Sequence, residues 1–188
     1  TMLYVNGSIT SLRGPSQGVA AINDGAAVMV TATANITVTG DLIYKTAPVT
    51  KTQNQIPGTP PATLIPGNDN SQVLGIFTAT GDIRMQNGQA NRNLEIDASL
   101  ATISQTGTGG LINTGTAINT LTIIGGRIQN RIKNINSTTR NVLFDRRFAG
   151  GNFAPPWFPS TTITPGGVAS ATVTSSVQRV RWFNNSAY

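Results

Sequence analysis

The sequence predicts an all-β chain, a right-handed parallel β-solenoid or β-helix. Three observations predict it: Thr, Asn and Gly stand where charge is usual, a strand–Gly–strand motif returns along the chain, and aliphatic side chains alternate with hydroxyls. Charged residues are 11% of the 188 residues, well below the ~25% of ordinary soluble domains. The place of charge is taken by 27 Thr, 18 Asn and 20 Gly. Thr suits a pleated face, while Asn and Gly suit the turns between stacked strands.

Four segments carry the motif: Leu3-Tyr4-Val5-Asn6-Gly7-Ser8-Ile9, Ile36-Thr37-Val38-Thr39-Gly40-Asp41-Leu42, Phe77-Thr78-Ala79-Thr80-Gly81-Asp82-Ile83 and Leu121-Thr122-Ile123-Ile124-Gly125-Gly126-Arg127-Ile128. A sharp corner between strands needs a positive φ or close backbone approach, and Gly supplies both. The corner glycines are 33, 41 and 44 residues apart, which predicts two coils of ~20 residues between successive marks. Ala27–Ala32, Leu94–Ala98 and Leu100–Ser104 supply the alternate coils. Ile36 and Val38 fall on one side of a strand and Thr37 and Thr39 on the other, so the aliphatics are expected to fill the bore and the Thr to form an exposed ladder. Asp41 and Asp82 follow two of the glycines and read as turn residues that bond backbone, ahead of metal ligands.

Residues 1–140 are expected to form the solenoid, broken by a loop at 45–75 that carries Pro48, Pro57, Pro60, Pro61 and Pro66. Asn68, Asp69 and Asn70 in that loop lack the spacing and terminal Glu of a calcium loop. Residues 141–188 are expected to be a cap or strand-exchange segment, because five of six Phe and both Trp lie there. Its assembly candidates are Phe144, Phe148, Pro155, Pro156, Trp157, Phe158, Trp182 and Phe183, with a long final strand over 171–183.

The chain has no Cys and no His, which removes disulfides, thiolate chemistry, the commonest general base and the commonest transition-metal ligand. No cofactor is expected. Seven carboxylates remain, and of these only Glu95-Ile96-Asp97 puts two on one face of a strand, as a polysaccharide-cleaving enzyme needs. Such sites gather more acidic and basic groups than this, so a solvated strand face is the preferred reading, and the chain is expected not to be an enzyme. The tripeptides at Asn6, Asn35, Asn136 and Asn184 fit a glycosylation pattern that a sequence so rich in Asn, Ser and Thr produces by chance.

The net charge of +6 is concentrated in the second half. Residues 1–97 hold five basic and six acidic groups, whereas 98–188 hold eight basic and one acidic. Arg127, Arg131, Lys133, Arg140, Arg146 and Arg147 are the candidate contacts for DNA or an acidic polysaccharide, with Phe144, Phe148 and Trp157 interleaved as stacking platforms. No apolar run is long enough to cross a membrane, and the first residues, Thr1-Met2-Leu3-Tyr4, lack the pattern of a signal segment.

Leu3–Thr10, the stretch Val30–Tyr44, Asn141–Arg147 and Pro155-Pro156-Trp157-Phe158-Pro159 together resemble the exported solenoid domain of bacterial type IV pilus-associated proteins, the pilus-assembly and minor-pilin-like group. The resemblance implies display at the bacterial cell surface and association with pilus subunits or another filament, with DNA capture in some members. The expected role is a structural or adhesive subunit that assembles through the solenoid ends and the C-terminal strand.

Overall fold

The computed structural model describes residues 1–46, 48, 71–86, 88, 91–104, 107–145, 147–148 and 154–158. Its strands wind through five successive coils. The first holds β1 (Met2–Val5), β2 (Ile9–Leu12) and β3 (Ala20–Ile22), and the second β4 (Ala27–Ala32), β5 (Ile36–Val38) and β6 (Ile43–Tyr44). The third holds β7 (Val73–Thr78), β8 (Ile83–Met85) and β9 (Leu94–Asp97), and the fourth β10 (Ser99–Thr102), β11 (Leu111–Asn113) and β12 (Ile118–Ile124). The fifth is closed by β13 (Arg127–Gln129) and β14 (Ser137–Leu143).

Corresponding strands pair in parallel and make three faces. The first face runs β1-β4-β7-β10-β13 and the second β2-β5-β8-β11. The third consists of β3-β6 and β9-β12-β14, joined by the bridge between Leu42 and Ile96. This is the expected right-handed parallel β-solenoid. Among the described residues no helix is long and apolar enough to cross a membrane.

Alternation along each strand builds the core. Val30, Ile76 and Leu100 stack on the first face, Ile36, Ile83 and Leu111 on the second, and Leu94 and Ile96 lie beside Leu121 and Ile123 on the third. All are buried in one continuous cluster. Each such side chain contributes about 1.5–3 kcal/mol relative to leaving it in water.

The coils are longer than the corner glycines suggested. Met2 aligns with Met29, Met29 with Gly75, Gly75 with Ser99 and Leu100 with Arg127, so the chain advances by 27, 46, 24 and 27 residues per turn. Gly7 and Gly81 occupy the corner between the first and second faces, but Gly40 lies between the second and third and Gly125 between the third and first. Strand–Gly–strand marks any corner of a triangular coil, and this is why equating all four misjudged the period. At Gly125, with φ +157°, a Cβ would strike the Ala98 carbonyl of the coil beneath.

The Thr ladder is also more buried than alternation implied. Thr31, Thr37, Thr78 and Thr102 are all buried. Thr78 shows one reason: its hydroxyl donates to the Ala34 carbonyl and accepts the Gly81 N–H at 3.1 Å, which satisfies backbone at a corner. Of the proline-rich excursion, 47 and 49–70 lie outside the described residues, while Val73–Gly75 already belong to β7. Towards the C-terminus, β14 runs continuously across position 140.

Ile76 is fully buried in the central strand of the first face, whereas Thr138 is exposed on β14. Ile76→Ala is expected to lower unfolding free energy by about 2–5 kcal/mol, and Thr138→Ala by no more than about 0.5 kcal/mol, both read from urea unfolding midpoints.

Candidate functional site

The carboxylates act first as backbone ligands. Asp41 is buried at a corner, with Oδ2 accepting the Gly18 N–H at 2.8 Å and Oδ1 the Glu95 N–H at 2.9 Å. It thereby ties the 13–19 segment of the first coil to the third. Asp82 Oδ1 accepts the Gly110 N–H at 3.0 Å and the Lys133 ammonium at 2.6 Å. Both residues bond backbone as expected of turn aspartates, but the backbone belongs to neighbouring coils rather than to their own turn. Among the described residues no three acidic groups come together in a way that could hold a metal ion.

Glu95 and Asp97 leave β9 on the side opposite Leu94 and Ile96, as alternation requires. Their surroundings differ. Asp97 is fully buried and its Oδ2 accepts the Tyr44 N–H at 3.0 Å, while Glu95 is only half-buried. A solvent-borne substrate therefore meets one carboxylate here rather than two.

The basic candidates separate into three sets. Arg127 stands in register with Leu100, and Arg140 with Leu121, so one inward aliphatic column on each of the first and third faces ends in a cation at the last coil, while the column of Ile96 and Ile123 ends in the partly exposed Val142. Gln129 over Thr102 ends a second inward column, and Arg131 bridges to Gly110 on the remaining side. Arg127, Arg131 and Arg140 are exposed and thus crown one end of the solenoid, one on each side. Lys133 is instead half-buried against Asp82, and Arg147 is buried. Arg146 lies outside the described residues.

Arg147 clamps the C-terminal segment to the body of the solenoid. Its Nε lies 3.0 Å from both oxygens of the fully buried Asp145, its Nη2 is 2.6 Å from Oδ2, and its Nη1 donates to the Gln72 carbonyl at 2.8 Å. The guanidinium lies 5.3 Å from the centroid of the Tyr44 ring. The Tyr44 hydroxyl accepts the Leu74 N–H at 2.9 Å, and burial pushes its pKa well above the usual phenol value. Tyr44 and Asp145 were not singled out from sequence. A lone Tyr ending a strand and an Asp two residues before an Arg carry no signal until the coil brings them together.

Phe148 packs edge-on against Phe144 with centroids 6.4 Å apart. Further along, Pro155 and Phe158 seat in the space left by Gly75, where a Cβ would come within 2.7 Å of Pro155 and 3.0 Å of Phe158. Phe158 N–H closes a turn onto the Pro155 carbonyl at 3.1 Å. Within it Pro156 is half-buried, and Trp157 takes φ +57° with 63% of its surface exposed. A left-handed conformation at a bulky residue costs about 1–3 kcal/mol, so the turn holds the indole outward against a local preference. Trp182 and Phe183 lie outside the described residues.

Two clefts flank the 13–19 segment. One, of 380 Å³, lies beside Arg13, Ser16 and Thr39. The other, of 330 Å³, opens over the third face between Gln17, Asn93, Glu95 and Thr122.

Set against known protein families, curated proteins and solved structures, the chain matches none of them. The fold and these surfaces define a β-solenoid scaffold.

Removing the cation of the buried pair strands Asp145, so Arg147→Ala is expected to cost about 3–5 kcal/mol in urea unfolding. The raised Tyr44 pKa has a definite sign. The unfolded chain loses this proton near pH ~10 while the folded chain keeps it, so stability is undiminished below that pH and falls as pH rises beyond it. In Tyr44→Phe, unfolding followed at alkaline pH is expected to show a shallower decline above pH ~10.

Proposed function

We propose that this chain is a non-enzymatic structural or adhesive module displayed at a bacterial cell surface, as part of a pilus or related filament. The observation that carries the reading is the use made of the carboxylates. Asp41, Asp82, Asp97 and Asp145 each hold backbone N–H groups, and Asp82 and Asp145 also hold internal cations, so the acidic chemistry goes into rigidity. A rod stapled in this way suits load and display. Its assembly contact is the exposed aromatic surface of Phe144 and Trp157, within the segments that carry the resemblance to pilus-associated proteins. The crowned end of the bore is a poor stacking surface, because Arg127 and Arg140 would face a neighbour's core. The purified chain is expected to form concentration-dependent assemblies in sedimentation velocity, visible by negative-stain microscopy as regular particles or filaments, and to stay monomeric as Trp157→Ala. Immunogold label confined to the cell interior would overturn the display reading.

Polyanion binding is a second reading, favoured by one observation. Arg127, Arg131 and Arg140 are exposed on a single coil, and no carboxylate lies between residues 126 and 144. Fluorescence anisotropy with duplex DNA is expected to give an affinity whose logarithm falls against log salt with a slope of about −3, one unit for each phosphate neutralised. The triple change of these arginines to Ala abolishes binding on this reading, and Lys133→Ala, already paired with Asp82, leaves it nearly intact. Binding that ignores salt, or survives the triple change, removes it.

A further inference from the structure

We propose that the cleft over β9 and β12 is a binding site for a neutral saccharide segment, held without cleavage. The site stands whether or not the solenoid assembles into a filament. The cleft has a volume of 330 Å³, and its polar lining comes from Gln17, Asn91, Asn93, Glu95, Thr120 and Thr122, with the buried Asp41 at its floor. Three amides, two hydroxyls and the half-exposed Glu95 carboxylate give donors and acceptors side by side, as vicinal hydroxyls require, while the Asp41 carboxylate is taken up by backbone N–H groups.

The wall is set before any ligand arrives. Asn91 Oδ1 accepts the Asn93 N–H at 2.9 Å, and Asn93 Oδ1 accepts the Thr120 N–H at 3.2 Å, which fixes both amides. Gln17 closes one side by donating to Asn91. Between the two asparagines Arg92 is held at φ +58°, a conformation disfavoured for its side chain and maintained by the coil around it. Beneath, Asp41 joins the Gly18 and Glu95 N–H groups, so both sides of the cleft are tied to one carboxylate. Groups fixed in this way lose little freedom on binding, which raises affinity for a ligand that fits.

Other ligand classes fit less well. Glu95 is the half-exposed carboxylate of the lining, and among the described residues no lysine or arginine lines the cleft, which disfavours anions. One accessible carboxylate is too few for a hard cation, which takes several oxygen ligands. An extended peptide would need a free strand edge, but β9 is paired with β12 on one side and bridged to Leu42 on the other. A polyol meets no such obstacle. Glu95 would accept from adjacent hydroxyls, with Thr120 and Thr122 one coil further along the axis, about 4.8 Å away, to engage the next ring.

The test is a nitrogen-15 NMR titration of the whole chain with maltohexaose, cellohexaose, xylohexaose and mannohexaose, with oligogalacturonate as the acidic control. At least one neutral probe is expected to shift the side-chain amide signals of Gln17, Asn91 and Asn93 in a saturable way, with oligogalacturonate binding more weakly. Glu95→Gln should weaken that binding about tenfold, the loss of a hydrogen bond to a charged group. Thr122→Arg, which fills the cleft from an outward position, should abolish it, while Thr122→Val keeps the volume and weakens it moderately. Unchanged backbone signals from β10 establish that each variant is folded. No shift with any neutral probe, or binding that survives Thr122→Arg, overturns the proposal.

Discussion

In this molecule each coil must lay its aliphatic side chains directly on those of the coil before. Parallel strands about 4.8 Å apart leave no room for a second arrangement, and a slip of one residue would turn a core column outward. Val30, Ile76 and Leu100 show the rule on one face, and Ile36, Ile83 and Leu111 on the next. The corners inherit the same constraint. Backbone must approach backbone there, and its polar groups must find partners within the stack. Asn35 meets that need by accepting the Asp82 N–H at 2.9 Å, as do Thr78, Asp41 and Asp82. The polar side chains at the corners thus complete the ladder that the aliphatics position.

The stack also has to stop. At the fifth coil Arg127, Gln129 and Arg140 stand where Leu, Thr and Leu stood one turn earlier, so three columns of the bore meet solvent through long polar side chains, with Val142 above Ile123 left partly exposed between them. The chain then folds back and fastens itself by the Asp145–Arg147 pair beside Tyr44. Burying two charges is costly, and the geometry offsets that cost with a two-pronged contact, a carbonyl acceptor and an aromatic face. Such a pair adds less to net stability than to choice of place, because either partner alone would be a buried unpaired charge.

The solenoid was legible because its causes are local. Alternation in Ile36-Thr37-Val38, the strand at Ala27–Ala32 and the Gly corners are all written within a few residues. The period was not. Gly7, Gly40, Gly81 and Gly125 share a local need but not a position in the coil, and nothing in a single corner says which of three it is. The candidate site was hidden for a related reason. Glu95-Ile96-Asp97 is visible as a pair, yet its division into one buried and one half-exposed carboxylate depends on Tyr44, more than fifty residues away. Arg127, Arg131 and Arg140 were found as charges, whereas their arrangement around one end is a product of winding.

The step of 46 residues between Met29 and Gly75 has a consequence for engineering. From Ala27 paired with Val73 to Ala32 paired with Thr78 the ladder runs without a shift, so the extra length between β6 and β7 leaves no trace in the stacking that follows. Loop closure grows only logarithmically more costly with length, roughly 0.6 kcal/mol for each doubling. That corner is therefore a natural grafting point. A foreign epitope or small domain could be carried there with the pairing of β4 and β7 left in register.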